Sequence, residues 1–362
     1  MDMTLDLYVD YLICSTSYTT ATGLSKVTGG VISHDKVTRF LSLKDYTAAD
    51  LWLISKPFYK SIESNDGVII VDDSIEEKPY TDENEIICWH FDHTKDRSVK
   101  GINFITALYQ TEIGSMPIGY ELVKKTHKYI NQKTGKNSRK ATISKQQHYR
   151  NLIKNAVQNN LRFKYVLNDV WFSSVENMTF VKRKLNKDFI MPVKSNRKVA
   201  LSEKDKALGR FVGINSLELG ESILVWLHGL DFPLRLVRQV FKNEDGSTGV
   251  LYLVSSDIEL KKHQIETIYQ RRWKVETYHQ SLKNNASLAK SPTKIMRTQA
   301  NHFFASLCAY IRLESISIGT KINHFALKQK IYLAAMKTAM EKIREFGSYC
   351  FCQTDNLKIN PA

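Results

Sequence analysis

ETIYQRRWKVETYHQSLK, Glu266–Lys283, is a helix-forming stretch with a polar line running along it. At about 100° per residue, Tyr269, Arg272, Glu276 and Lys283 fall within about 60° of one another on a helical wheel. A phenol, two cations and a carboxylate on one narrow line suit a polyanion, and the acid is able to hold a metal. Ile268, Val275 and Leu282 recur every seven residues as a separate apolar seam. That seam predicts a helix docked on a core, with the polar line facing a cleft. The plain alternative is a solvated face with an Arg272–Glu276 pair at i, i+4. Base precedes acid there, the less favourable order, so the pair contributes only about 0.2–0.5 kcal/mol at most.

The chain around this helix is basic. It has 362 residues, with 52 Lys and Arg against 37 Asp and Glu, a formal net charge of +15. Such an excess points to nucleic acid or an anionic membrane surface. No apolar run approaches the ~18 residues of a membrane span. The start, MDMTLDLYVD, lacks a signal-peptide pattern. No membrane partner is therefore expected, and the chain reads as cytoplasmic. Cys14, Cys88, Cys308, Cys350 and Cys352 are scattered, which fits reduced thiols.

Residues 1–60 read as helical. Gly29-Gly30 makes a turn, Ser33 can cap the next helix, and Asp35 suits its first turn. Val37, Phe40 and Leu41 would face inward, with His34, Lys36 and Arg39 outside. The pattern is that of a helix-turn-helix, or of an ordinary helical hairpin. GVIIVDDS, 67–74, is a buried strand ending in acids, and FKYVLND, 163–169, is a second. Strands are also expected around Ile102–Gln110, Met116–Val123 and Phe189–Val193. The stretch 124–154 is basic and lacks acids, so it is either a solvated loop or a contact to a DNA backbone, with a helix from Lys145. A helix is expected over Val175–Lys184, then a β-rich run to about 254 with a hairpin turn at Asn243-Glu244-Asp245-Gly246. Residues 297–347 read as helical. His90, Asp92 and His93 read as a polar strand end and loop near the cleft, since zinc would need further ligands.

Tyr269-x2-Arg272-x3-Glu276-x6-Lys283 resembles the signature of the IS4-type (IS4/IS701-like) DDE insertion-sequence transposases, matching all four positions. The resemblance implies an α/β fold. It would comprise a helical, helix-turn-helix-like DNA-binding region over 1–60, an RNase H-like core over 61–199 and 259–296, a β-rich insertion over 200–258, and C-terminal helices over 297–362. It also requires two upstream aspartates at strand ends. Asp169 supplies the second. Asp72 and Asp73 both offer the first, and their side chains alternate faces. Asp73 is preferred because Ser74 then takes the hydroxyl place that the family shows; Asp72 stays open.

The resemblance makes Asp73, Asp169 and Glu276 the catalytic metal ligands, for two Mg²⁺ ions with Mn²⁺ able to substitute. Carboxylates gathered without a cation would repel, and two such ions can hold the attacking and leaving oxygens of a phosphodiester. Arg272, Lys283, Tyr269, Lys78, Lys194, Arg197 and Lys198 are the expected phosphate or DNA contacts. A core aromatic is the other reading of Tyr269, and a solvated loop that of Lys194–Lys198. Trp171 and Trp273 flank the motifs and are expected to be buried, with wedging into distorted DNA ends as the other reading. The implied partners are transposon-end and target DNA, engaged by a dimer in the bacterial cytoplasm, at the nucleoid when bound. A metal-dependent nuclease of the same fold without strand transfer, and a DNA-binding protein derived from a transposase, are the rivals.

Overall fold

Val68–Val71 is an unbroken apolar run, which suits a strand covered on both faces and paired on both edges. The computed structural model describes residues 2–346, apart from 131, 133, 134, 136, 219, 243 and 244. It puts that run in β1 (Val68–Glu77), fully buried up to Val71 and turning polar at Asp72.

Four helices precede β1: α1 (Leu5–Cys14), α2 (Ala21–Val27), α3 (His34–Leu43) and α4 (Ala48–Ile62). Each opens on a hydroxyl, from Thr4, Thr20, Ser33 or Thr47, that accepts a first-turn backbone N–H. Gly29 and Gly30, at φ 62° and 80°, turn the chain from α2 into α3. Val37 and Leu41 are buried on α3, with His34, Lys36 and Arg39 exposed.

After β1 come β2 (Ile87–Asp92), β3 (Arg97–Gln110), β4 (Ser115–Leu122), the hairpin β5 (His127–Ile130) and β6 (Asn137–Lys140), α5 (Lys145–Gln158) and β7 (Tyr165–Asn168). A 3-10 turn at Val170–Phe172 leads into α6 (Val175–Thr179), which widens into a π turn over Phe180–Lys184 before β8 (Asp188–Val193). Then follow β9 (Lys198–Ala200), α7 (Glu203–Ala207), β10 (Val212–Gly213), β11 (Ile223–Leu227), β12 (Leu234–Lys242) and β13 (Thr248–Ser255). The chain continues through α8 (Lys262–Gln270), α9 (Lys274–Asn284), α10 (Met296–Thr320) and α11 (His324–Phe346).

Among the described residues, one mixed sheet runs β10-β9-β11-β12-β13-β8-β7-β1-β3-β2, with β4 also paired to β3. The β-rich run after residue 200 extends this sheet through β13 on β8. Strands β1, β7 and β8 are parallel, with Val71 level with Asn168 and Leu167 level with Ile190. Their carboxyl ends therefore open on one edge, the usual place for a site in such a sheet.

The helix expected over Glu266–Lys283 is divided. α8 stops at Gln270, Arg271–Trp273 is a 3-10 turn, and α9 resumes at Lys274. A 3-10 turn winds about 20° more per residue than an α-helix, so three residues rotate α8 by about 60° relative to α9. Val275 and Leu282 are buried as the seam requires, and Ile268 packs at the core's edge.

α10 is largely buried, with α1, α3 and α4 packed on it. α11 begins docked at His324 and Lys328, then exposes Leu333, Met336, Met340 and Ile343. Cys14, Cys88 and Cys308 are free thiols. Cys350 and Cys352, and residues 243 and 244 of the expected turn, lie outside the described residues. Among the described residues no helix is long and apolar enough to cross a membrane.

The end of β7 is held by a buried polar chain. The Tyr149 hydroxyl donates to Asn168 Oδ1 at 2.8 Å, and Asn168 Nδ2 donates to Ser173 Oγ at 3.1 Å. Tyr149→Phe leaves the Asn168 oxygen without this donor. It is expected to cost about 1–3 kcal/mol, read as a lower urea midpoint with an unchanged slope.

Candidate active site

Strand alternation sends the two carboxylates of the Asp72–Asp73 doublet to opposite faces. Asp72 points towards α9: its carboxylate, that of Glu276 and a ring nitrogen of His279 all lie within 4.8 Å of one another. Asp73 points towards α5: its Oδ2 accepts from Lys145 Nζ at 2.6 Å and from Asn103 Nδ2 at 2.9 Å. Both carboxylates line one cleft with Asp169, Arg272, Glu276 and His279.

Asp169 ends β7 and caps the 3-10 turn, accepting from the backbone N–H groups of Trp171 at 3.0 Å and Phe172 at 3.4 Å. Burial pushes its pKa above the usual carboxylate range, and the Asp73 charge adds to this; those two N–H groups and Arg272 pull the other way. Asp72 is raised further, by burial first and then by Asp169, Asp73 and Glu276, with Arg272 opposing. Burial first, and like charge second, thus disfavour the ionised form of both carboxylates.

Arg272 has its guanidinium 5.0 Å from the Trp273 ring centre and donates to Glu276 Oε1 at 3.3 Å. Glu276 is half exposed, at 51% of its side chain, so its carboxylate is open to the cleft. His279 Nε2 bonds Thr106 Oγ1 at 3.2 Å, and burial lowers the imidazole pKa to about 3. It is therefore neutral at physiological pH, the form that binds metals. Lys283 lines the cleft and donates to the Ile75 carbonyl at 2.9 Å.

Several expectations need correcting. Tyr269 is 6% exposed, and its hydroxyl donates to the Asn168 carbonyl at 3.2 Å. It lies on α8, before the 3-10 turn, where it is packed against β7 and braces the strand end before Asp169. Lys78 is also buried; it donates to the Ser291 carbonyl at 3.3 Å and lies 3.8 Å from Glu76, outside the cleft lining. Trp171 and Trp273 are 51% and 63% exposed, not buried. Lys194, Arg197 and Lys198 lie in and just after the β8–β9 connection, beyond the same sheet edge as Asp169 but not in the cleft wall.

The sequence reading missed His279, Lys145 and Asn103. His279 follows Glu276 by three residues and sits about 20° outside the polar line on an ideal wheel. Lys145 is the first residue of α5, where the helix dipole disfavours a cation, and that was a usable signal. Asn103 carried none. The loop after β2 does reach the cleft, through Phe91, Asp92, His93, Thr94 and Lys95. The His93 ring lies 5.4 Å from that of Trp171 across the mouth.

Two family descriptions match the chain: DDE superfamily endonuclease over residues 2–207, and Transposase DDE domain over residues 119–312. No curated protein matches it.

Raised carboxylate pKa values make a signed prediction. Between the ordinary value of about 3.9 and the raised values, the folded chain binds more protons than the unfolded one. The stability contributed by Asp72 and Asp169 is thus present below about pH 3.9 and lost as pH rises through their raised values. Asp72→Asn is expected to raise the thermal midpoint of metal-free protein at pH 7. A divalent cation at a hundredfold excess over Kd should stabilise the wild type by about 2.7 kcal/mol, and the variant less. Scanning fluorimetry with and without the cation checks both; a lower midpoint for metal-free Asp72→Asn would contradict charge crowding.

Proposed function

The chain belongs to the DDE superfamily of transposases and endonucleases, and on that premise we propose that it is an IS4-type insertion-sequence transposase. It cleaves DNA at the element's ends and transfers the freed 3′-OH to target DNA. The observation that carries this reading is the meeting of Asp72 with Glu276 and His279 in the cleft that also holds Asp169. The run β4-β3-β1-β7-β8, an antiparallel meander continued by two parallel strands, supports an RNase H-like core.

Asp72 is the first metal ligand in this reading, with Asp169 and Glu276 as the others and His279 as a nitrogen donor. Asp73 is a supporting carboxylate held by Lys145 and Asn103. The donor set fits a divalent cation, because burial and mutual repulsion already hold Asp72 and Asp169 above the ordinary range. Two Mg²⁺ ions are proposed, with Mn²⁺ able to substitute, since carboxylate oxygens suit both. Bound there, such ions supply a more acidic water and offset charge on the leaving oxygen.

The chain's own residues do the rest. Arg272 fixes the Glu276 carboxylate and offers its remaining donors to a phosphate. Lys283, and more distantly Lys194, Arg197 and Lys198, add positive charge along the backbone path. Trp171 and Trp273 present exposed rings at the rim on which a displaced base can stack. The helix pair α2–α3, with His34, Lys36 and Arg39 exposed, is proposed as a DNA-binding element. The cytoplasm, at the nucleoid, is its proposed location. Joining two ends calls for two copies. The exposed Leu333, Met336, Met340 and Ile343 on α11, spaced 3-4-3, support a helix seam between them.

Purified protein with Mg²⁺ and the element's ends is expected to nick the ends and join them to a plasmid. Glu276→Gln and Asp72→Asn should each lower nicking by about 10²–10³-fold, the range for removing one preorganised electrostatic partner; Asp73→Asn should lower it less. Nicking without joining would favour a nuclease, and binding without nicking, unaffected by Glu276→Gln, would sink the reading. Separately, the double change Met336→Glu and Met340→Glu should halve the protein mass in the DNA complex measured by light scattering.

A further inference from the structure

The hairpin β5–β6 stands apart from the main sheet. Among the described residues its two strands pair only with each other, from His127↔Lys140 to Ile130↔Asn137. Residues 124–142 contain seven Lys and Arg and no Asp or Glu. All four residues of β5 are exposed, as is Lys140 on β6.

Its base is fixed to β2, the strand whose end reaches the cleft at Phe91 and Asp92. Lys125 Nζ donates to the Trp89 carbonyl on β2 at 2.6 Å, and the Thr126 and Thr142 hydroxyls meet at 2.8 Å. Three residues on, Lys145 grips Asp73. The hairpin therefore leaves the body at the rim of the carboxylate cleft, and not at a remote surface.

Lysines on a free strand edge also discourage pairing with other chains. That role does not account for Tyr129 and Ile130 beside them, which are 42% and 67% exposed. A two-stranded ribbon has the width to enter the major groove, where cations meet phosphates and apolar side chains meet base edges.

We propose that β5–β6 is a DNA-groove ribbon that holds duplex DNA beside the cleft through phosphate contacts from Lys128 and Lys140, which the register sets on opposite faces of the ribbon and so towards the two backbones that flank the groove. This rests on the reading of the chain as a DNA-cleaving enzyme. Four paired residues at about 3.4 Å each reach about 14 Å, or about four base pairs at about 3.4 Å per step. The ribbon thus covers a short block of duplex to one side of the scissile phosphate.

The test compares wild type, Lys128→Ala/Lys140→Ala and the charge-keeping Lys128→Arg/Lys140→Arg on a duplex oligonucleotide from the element's end. Binding is read by fluorescence anisotropy between 50 and 200 mM KCl, values of about the range in which salt slopes are resolved. The alanine pair is expected to lower the slope of log K against log salt by about 2, close to one per lost phosphate contact, and the arginine pair to keep it. Hydroxyl-radical protection should disappear over about four base pairs on one side of the cleavage position. An unchanged slope and footprint in the alanine pair, with wild type nicking normally, would overturn the ribbon alone. Wild-type protein that neither binds nor nicks the duplex would overturn the functional reading and this inference with it.

Discussion

The parallel pairing of β1 with β7 is the constraint on which the site depends. Val71 is level with Asn168, so the next residues along each strand, Asp72 and Asp169, emerge side by side at one edge. The sheet cannot separate them without breaking a ladder buried on both faces. Two half-buried carboxylates at close quarters disfavour their own ionisation, and Glu276 adds a third. The surroundings answer this charge only in part. The N–H groups of Trp171 and Phe172 turn towards Asp169, Arg272 faces Asp72 and Glu276, and Lys145 neutralises Asp73. What remains is a standing demand for positive charge from outside the chain.

Much of this was legible in the sequence, because buried parallel strands write themselves as unbroken apolar runs. VIIV before Asp72 and YVLN before Asp169 named both strand ends, and the seam through Val275 and Leu282 placed the third acid on a docked helix. The choice within the doublet was not legible. Alternation says that Asp72 and Asp73 face opposite ways, but not which face carries which helix. That is decided by where α9 and α5 cross the sheet, through contacts 173 and 72 residues apart in the chain. The hydroxyl at Ser74 pointed to Asp73, while the packing of α9 brings Asp72 to Glu276.

The wheel misread Tyr269 and passed over His279 for a related reason: it gives a side chain's azimuth, not what packs against it. Tyr269 meets the Asn168 carbonyl, while His279, three residues after Glu276 on α9, lies beside it. The tryptophans misled in another way. Large aromatics are mostly buried for their area, yet Trp171 and Trp273 sit on short turns whose backbones are anchored by Asp169 and Arg271, which leaves the rings outside.

Net charge is a poor guide to which cations meet DNA, and Arg271 and Arg272 show why. They are adjacent and identical in type. Arg271 donates to the Asp66 carbonyl at 2.8 Å and the Gln110 carbonyl at 2.7 Å, tying the turn to the start of β1 and the end of β3. Arg272 points into the cleft. Steps of about 120° in the 3-10 turn send neighbours to different sides. Lys78 and Lys328 are likewise consumed by buried carbonyls, and burial lowers the pKa of Lys328 to about 8. The formal +15 therefore overstates what a polyanion meets. The fold sorts cations into buried pins for its own carbonyls and those that reach the surface, in the cleft wall and on the β5–β6 ribbon. Any account of DNA binding has to begin from the second group.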